Sequence, residues 1–281
     1  MLHIGTDEAG YGPLLGPLVI AAAVFEGGAD RSVFADPSID DSKRVYSRRG
    51  RDGLARALAP YVGLAAGPAN LTNLIERLSV RGDPRPAYAW YGEVVDPVLQ
   101  PVSPPRGFRR LLVNPVCEAE FNAGCRCHAG KAGLLFHETM RLVRAALEER
   151  PDQSVEVVCD KHGGRNHYAA LLMAELAPTR ILTERESREE SCYRLDLAGR
   201  TVRFSFLKQA DGHDPLAGLA SMAAKYVREL FMEGFNAYFA ARLEGLRPTA
   251  GYTTDGRRFL SDIEGLMREL GIDPASLVRE R

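Results

Sequence analysis

The chain has 281 residues, 45% hydrophobic and 26% charged, with a formal net charge of −1. This is globular composition for one large domain, or one domain with an appendage. It excludes a globally basic, histone-like binder and leaves local phosphate-binding patches open. Five cysteines, an odd number with no secretory start, are expected to be reduced thiols. The longest apolar run, 13–25, is short, carries Pro13, Gly16 and Pro17, and follows acids, so no membrane association and a cytoplasmic location are expected.

Residues 2–6 read as a short buried strand and 18–25 as a second, the two pairing as a hairpin. Between them stands Asp7-Glu8-Ala9-Gly10-Tyr11-Gly12-Pro13, the most informative stretch of the chain. In a regular strand neighbouring side chains point to opposite faces. A kink at the glycines is therefore expected to bring both acids to one point. Two carboxylates held so close repel each other unless a cation lies between them. The glycines also clear side chains from the backbone, so a large ligand can approach the amides. The pattern points to a divalent metal meeting a polyanion.

Asp40-Asp41-Ser42-Lys43-Arg44 precedes a helix expected over 47–58 with Ser47 as its cap. Residues 61–66 read as a strand and 70–78 as a short helix capped by Asn70 or Thr72. From 79 to 130 prolines at 84, 86, 97, 101, 104, 105 and 115 break every helical pattern, and the stretch reads as an irregular proline-rich insertion. Cys117, Cys125, Cys127 and His128 cluster there. They lack a paired C-x-x-C, so small buried or loop cysteines are expected rather than a zinc site.

A core-facing helix follows over 131–150, then a strand over 155–159 that ends in Asp160-Lys161-His162. Asn166 is expected to cap a helix through 176. Strands are expected over 180–183 and 201–207, and the charged run 184–190 as a solvated face. A long helix over 215–243 opens on Pro215 and carries small residues for close packing on a sheet. A turn at 248–251 and a last helix over 256–270 complete the chain. The division is a main domain over 1–245 and a C-terminal helical extension over 246–281. Alternating strands and helices indicate an α/β fold around a mixed sheet.

Asp7, Glu8, Asp160 and Asp211 each sit at a strand end or just before a helix, where ligands of α/β sheets collect. Three or four such oxygens suit one or two Mg²⁺ or Mn²⁺ ions and in-line attack of water on a phosphodiester. Taken alone, Asp160 or Asp211 is more readily a helix cap or a solvated loop acid than a metal ligand. Asp214 competes with Asp211 for the fourth place. His162 reads as a polar loop residue rather than a proton shuttle, and Lys161, if turned inward, would compete with a cation.

Asp7-Glu8-Ala9-Gly-x-Gly-Pro-x-x-Gly-Pro resembles the opening motif of the type 2 ribonucleases H, which cut RNA strands in RNA/DNA hybrids. Asp41-Ser42-Lys43, the 134–147 helix, Asp211-x3-Pro215-x5-Ser221-x3-Lys225-x2-Arg228 and Gly251-Tyr252 resemble further segments of that family, in the same order. These islands cover about a third of the chain and span most of its length. The resemblance implies a ribonuclease H-like fold, a mixed five-stranded sheet flanked by helices. It implies Asp7, Glu8, Asp160 and Asp211 as catalytic metal ligands. Gly10, Tyr11 and Gly12 would lie near a ribose 2′-hydroxyl, with Lys43, Ser221, Lys225 and Tyr252 also on the substrate, and Tyr252 stacking on a sugar. Arg44, Arg48, Arg49 and Arg228 join the lysines as candidates for phosphate contact.

The implied activity is metal-dependent hydrolysis of the RNA strand of hybrids, or at single ribonucleotides in duplex DNA; with no long exposed apolar helix left over in the sequence, a monomer is expected. Two other readings stay open: a nucleic-acid-binding module on the same fold, and a nuclease acting on another nucleic acid. The chain departs from the family in having Tyr11 where Arg or Lys is usual, and Lys161-His162 where a glycine follows the third acid. It also lacks a histidine shortly after Tyr252.

Overall fold

β1 (Leu2–Ala9) and β2 (Leu18–Glu26) form the expected antiparallel pair, with Leu2 opposite Glu26 and Ala9 opposite Val19. The computed structural model describes residues 1–27, 38–39, 42–62, 69–99, 102–148 and 152–280. Asp40, Asp41 and the Lys43 side chain lie outside that set. β1 runs three residues further than the pattern indicated, so Asp7 and Glu8 belong to paired strand rather than to a kink.

α1 (Ser42–Val62) starts earlier than expected and breaks at Gly50, where φ is 60° and ψ −156°. Ser47 lies inside it and its hydroxyl donates to Arg44 O, so it is not the cap. Tyr61 and Val62 end this helix instead of opening a strand, and 63–68 lie outside the described residues. β3 (Ala69–Asn70) leads into α2 (Leu71–Leu78), capped as expected by Asn70, whose side chain accepts from Asn73 N at 2.7 Å. β4 (Val95–Asp96) pairs with β3.

Within 79–130 the structure holds two longer regular elements. β5 (Phe108–Val116) pairs antiparallel with β2 along its length, and α3 (Glu118–Cys127) follows. β5 is an edge strand, which is where a sheet tolerates Pro115. α4 (Lys131–Glu148) and β6 (Val155–Asp160) match expectation. α5 (Ala169–Leu176) begins after Tyr168 with no side-chain cap, and Asn166 serves elsewhere.

β7 (Arg180–Glu186), β8 (Glu190–Leu197) and β9 (Arg200–Leu207) form a meander. β8 carries Ser191, Tyr193 and Leu195 inward, with charged Arg194 and Asp196 between and beyond them. The charged run before it hid that alternation. α6 (Pro215–Ala240) is the long helix, and α7 (Thr253–Asp262), α8 (Glu264–Leu270) and α9 (Pro274–Leu277) replace the single helix expected at the end.

The sheet has seven strands, not five, in the order β5-β2-β1-β6-β9-β8-β7. Its central strands β1, β6 and β9 are mutually parallel, and all other neighbours pair antiparallel. Helices cover both faces. Val19, Ala21, Ala23 and Phe25 pack toward α1, α2 and α6, while Leu18, Ile20, Ala22 and Val24 pack toward α3 and α4. Burial on both faces is why β2 reads as an unbroken apolar run.

α6 lies very close to β1. A Cβ added at Gly5 would stand 2.3 Å from Ala217 N and from Leu216 C, so only glycine admits the helix at that height. No helix among the described residues is long and apolar enough to cross a membrane.

Candidate metal centre and glycine loop

Parallel strands end on the same edge of a sheet, so β1, β6 and β9 deliver their last residues to one place. Thr6 pairs with Cys159 and Asp160 with Leu207, which sets Asp7 beside Asp160 and brings the turn after β9 alongside both. Carboxylate oxygens of Asp7, Glu8 and Asp160 all lie within 4.8 Å of one another. Gly5 and Asp7 share the α6 face of β1, and alternation sends Glu8 to the other. Glu8 reaches the cluster from an extended strand, so convergence comes from its longer side chain at the sheet edge and not from a backbone kink.

The acids are held individually. Asp7 is nearly buried; its carboxylate accepts from Glu8 N at 2.8 Å and from the Ser221 hydroxyl, which also bonds Ser42 Oγ at 3.0 Å. Asp160 Oδ1 accepts from Ala210 N at 2.9 Å. Burial above all, with the Asp160 and Asp211 charges adding, pushes the Asp7 carboxyl up to about 8. Burial, and then Asp211, likewise raises Asp160.

Asp211 sits in the short turn Ala210–Gly212, outside the tight trio but close enough for its charge to act on both aspartates. Asp214 is occupied as the cap of α6, accepting from Leu216 N and Ala217 N at 3.0 Å each. Hard oxygen donors gathered at one sheet edge, with burial first and neighbouring charge second raising Asp7 and Asp160, fit a divalent cation.

The rim of the cluster is the loop 10–17. Gly10 has φ 86°, and a Cβ there would meet Arg228 Nε and Pro17 O at 2.6 Å. Tyr11 lies under Lys131, whose Nζ is 5.3 Å from the ring centroid. Burial and the neighbouring Glu8 push its phenol up from the usual value. Gly12 is exposed, and a Cβ there would meet nothing within 4 Å. The turn at Gly251 docks on this loop, its carbonyl accepting from Leu14 N at 2.7 Å and Leu15 N at 3.2 Å. That docking leaves Tyr252 54% exposed beside the loop, its ring 6.0 Å from the Arg228 guanidinium.

Several expected residues have partners within the chain. Arg228 is buried and donates to Leu15 O and Ala250 O, so it braces the loop rather than meeting a phosphate. Lys225 is paired with Glu229 at 2.5 Å and lies 4.5 Å from the Tyr46 ring centroid, near the head of α1.

Lys161 turns away from the acids. Its ammonium donates to Arg165 O, Asn166 Oδ1, Ser187 O and Ser191 Oγ, tying the β7–β8 hairpin to β6, and Asn166 serves this tie instead of capping a helix. His162 lies in the loop after β6 as expected, but its side chain is buried against Phe136, Tyr168 and Phe206 with Nδ1 unpartnered, and burial depresses it to about 3, so it is a neutral core side chain rather than a solvated one.

The acid trio is the one metal-competent group among the described residues, so Cys117, Cys125, Cys127 and His128 do not converge. His128 stacks on His137 with centroids 4.1 Å apart. Sequence reasoning missed Glu118 and Arg279, both buried beneath the glycine loop. Glu118 Oε1 accepts from Gly16 N at 2.9 Å and from the Tyr91 hydroxyl at 2.6 Å.

Residues 4–80 match the family model described as Ribonuclease HII. The chain is 40% identical over 80 residues to ribonuclease HII of Myxococcus xanthus, covering 28% of this chain and 25% of that protein. With ribonuclease HII of Geobacter sulfurreducens it shares 46% over 66 residues, 22% of this chain and 28% of that one. The matched segment thus spans about a quarter of the length of these relatives.

Among solved structures, the PCNA:ribonuclease HII complex from Archaeoglobus fulgidus gives a TM-score of 0.53 at 18% identity, covering 100% of this chain and 95% of the other. Bst ribonuclease HIII in complex with Mn²⁺ gives 0.53 at 16%, covering 99% and 66%. These structural likenesses establish a shared fold across the whole chain, the α/β ribonuclease H-like fold. The matched segment contains Asp7, Glu8 and the glycine loop. Asp160 and Asp211 lie beyond it, and their place rests on the geometry.

Proposed function

We propose that this chain, a divergent relative of the type 2 ribonucleases H, is a metal-dependent endonuclease that hydrolyses the RNA strand of RNA/DNA hybrids or single ribonucleotides in duplex DNA. The observation that carries this reading is the meeting of the Asp7, Glu8 and Asp160 carboxylates within 4.8 Å, beside a glycine loop. Asp7, Glu8 and Asp160 would hold divalent cations, with Asp211 completing the set from the adjacent turn. When bound, such ions lower the pKa of water and neutralise charge on a leaving oxygen.

The residues of the chain supply position. Ser221 and Glu8 N–H fix the Asp7 carboxylate, and Ala210 N–H fixes Asp160, so these two carboxylates are held in place without reorganising. The exposed loop at Gly12 offers backbone amides to a sugar, and the exposed Tyr252 ring offers a stacking face. In the reaction a water oxygen bonds to phosphorus in line with the breaking bond to the ribose 3′-oxygen. The products are a 5′-phosphate and a 3′-hydroxyl.

The test uses three duplexes: all DNA, DNA with one ribonucleotide, and an RNA/DNA hybrid, each with Mg²⁺ or Mn²⁺. The ribonucleotide-containing duplexes should be cut by the wild type and not by Asp7→Asn. Binding without cutting would end the enzymatic reading. Equal cutting of the all-DNA duplex would end the ribonucleotide specificity.

A further inference from the structure

The glycine loop is held from beneath by the end of the chain. Asp273 caps α9, accepting from Ala275 N at 2.9 Å, and Pro274 opens it. Asn122 of α3 then clips the tail: its Nδ2 donates to Ala275 O at 3.1 Å and Val278 O at 2.8 Å, and its Oδ1 accepts from Glu280 N at 2.7 Å. Arg126 closes the strap through Glu280 at 2.8 Å.

Arg279 is thereby delivered into the protein, 2% exposed, its guanidinium 3.8 Å from the Phe121 ring centroid. It donates to the carbonyls of Gly10, Tyr11 at 3.2 Å and Gly16 at 3.4 Å, and its own N–H donates to Leu14 O at 2.9 Å. A planar guanidinium presents five donors in a rigid fork, which suits carbonyls spread along a loop; an ammonium offers three donors from a single point.

Orientation of the loop follows from peptide geometry. No peptide bond in the described chain is cis, and in a trans peptide the carbonyl and the next residue's N–H point opposite ways. With the Gly10 and Tyr11 carbonyls turned down to Arg279, the N–H groups of Tyr11 and Gly12 are turned outward. Neither donates to any other group among the described residues. They lie within four residues of Glu8, at the rim of the acid cluster. The arrangement is costly to hold: burial first, and then the Arg228 charge, depress Arg279, and the buried Glu118 carboxylate lies close enough to act on both arginines. A charge buried at that cost fits a purpose beyond filling space.

We propose that Arg279 is a positioning residue for substrate recognition, setting the Tyr11 and Gly12 amides as an outward donor pair for the 2′-oxygen of a ribonucleotide. This rests on the reading of the chain as a ribonuclease. It makes the C-terminal strap part of the recognition site.

The test compares wild type, Arg279→Met and Arg279→Lys. Backbone hydrogen exchange of the 9–16 segment should rise in Arg279→Met, with 2–6 and 155–160 unchanged, and Arg279→Lys should fall between. In steady-state cleavage of the single-ribonucleotide duplex, KM should rise between about ten- and a hundredfold in Arg279→Met, the span of two backbone hydrogen bonds to the 2′-oxygen, with kcat within about threefold. Unchanged exchange at 9–16, or a fall in kcat with KM unchanged, overturns the proposal. If Arg279→Met does not fold, Arg279→Lys alone decides on the same two readouts. A wild type that cuts nothing would sink the ribonuclease reading instead, while exchange still reports on the strap.

Discussion

Asp7→Asn probes the acid cluster through stability as well as activity. The Asp7 carboxyl is 9% exposed and is pushed from 3.8 to about 8, by burial first and then by Asp160 and Asp211. The folded, metal-free protein therefore keeps a proton that the unfolded chain releases near pH 4. Stability linked to that proton is complete below pH 3.8 and is lost as pH rises through about 8. At about 1.4 kcal/mol per pH unit, that interval caps the loss near ~6 kcal/mol; relaxation and sharing of the proton with Asp160 bring the expected loss to about 2–4 kcal/mol.

Asparagine keeps the shape and removes the charge. In EDTA the variant should match wild type near pH 4 and exceed it by about 2–4 kcal/mol near pH 9, measured by urea unfolding. Saturating Mn²⁺ at pH 8 should reverse the order, because only wild type gains from binding. Parallel pH profiles, or a variant less stable at every pH, would refute the crowded-carboxylate reasoning.

Other substitutions separate structure from chemistry. Lys161→Met strands four acceptors around a buried ammonium and should cost about 2–4 kcal/mol in urea unfolding, with Mn²⁺ affinity unchanged. His162→Phe removes an unpartnered buried nitrogen from an aromatic nest; stability should hold or rise by about 1 kcal/mol and cleavage should stay within about twofold, whereas a large loss of rate would restore a proton-transfer role. Gly5→Ala drives a methyl into the backbone of α6 and should cost about 2–3 kcal/mol or more, read as a lower urea midpoint.

The first half of the site was plain in the sequence because its elements are local. Asp7, Glu8 and the glycines are contiguous, and an apolar strand on either side fixes where they lie. Asp160 was legible because it closes a readable strand and parallel strands end together, and Asp211 stood out because it follows the next such strand.

What escaped depends on long-range contact. Arg228 looked like a surface cation until the loop it supports closed over it, and Lys161 looked like a neighbour of the metal until its four acceptors from later elements were in place. β8 was masked because its outward residues are charged and the preceding run is charged too. β5 was masked by prolines that an edge strand tolerates. Asp273-Pro274, a cap followed by a first-turn proline, was the signal that the tail is tied down. Nothing local marked Arg279 as its purpose.

The ends left at a lone ribonucleotide, cut in duplex DNA with Mg²⁺ or Mn²⁺, bear most directly on the proposed hydrolysis at the acid cluster. Attack by water in line with the 3′-oxygen requires one product with a 5′-phosphate and the other with a 3′-hydroxyl, and both should vanish with Asp7→Asn. A 2′,3′-cyclic phosphate would mean that the ribose attacked instead of water, and would contradict the mechanism.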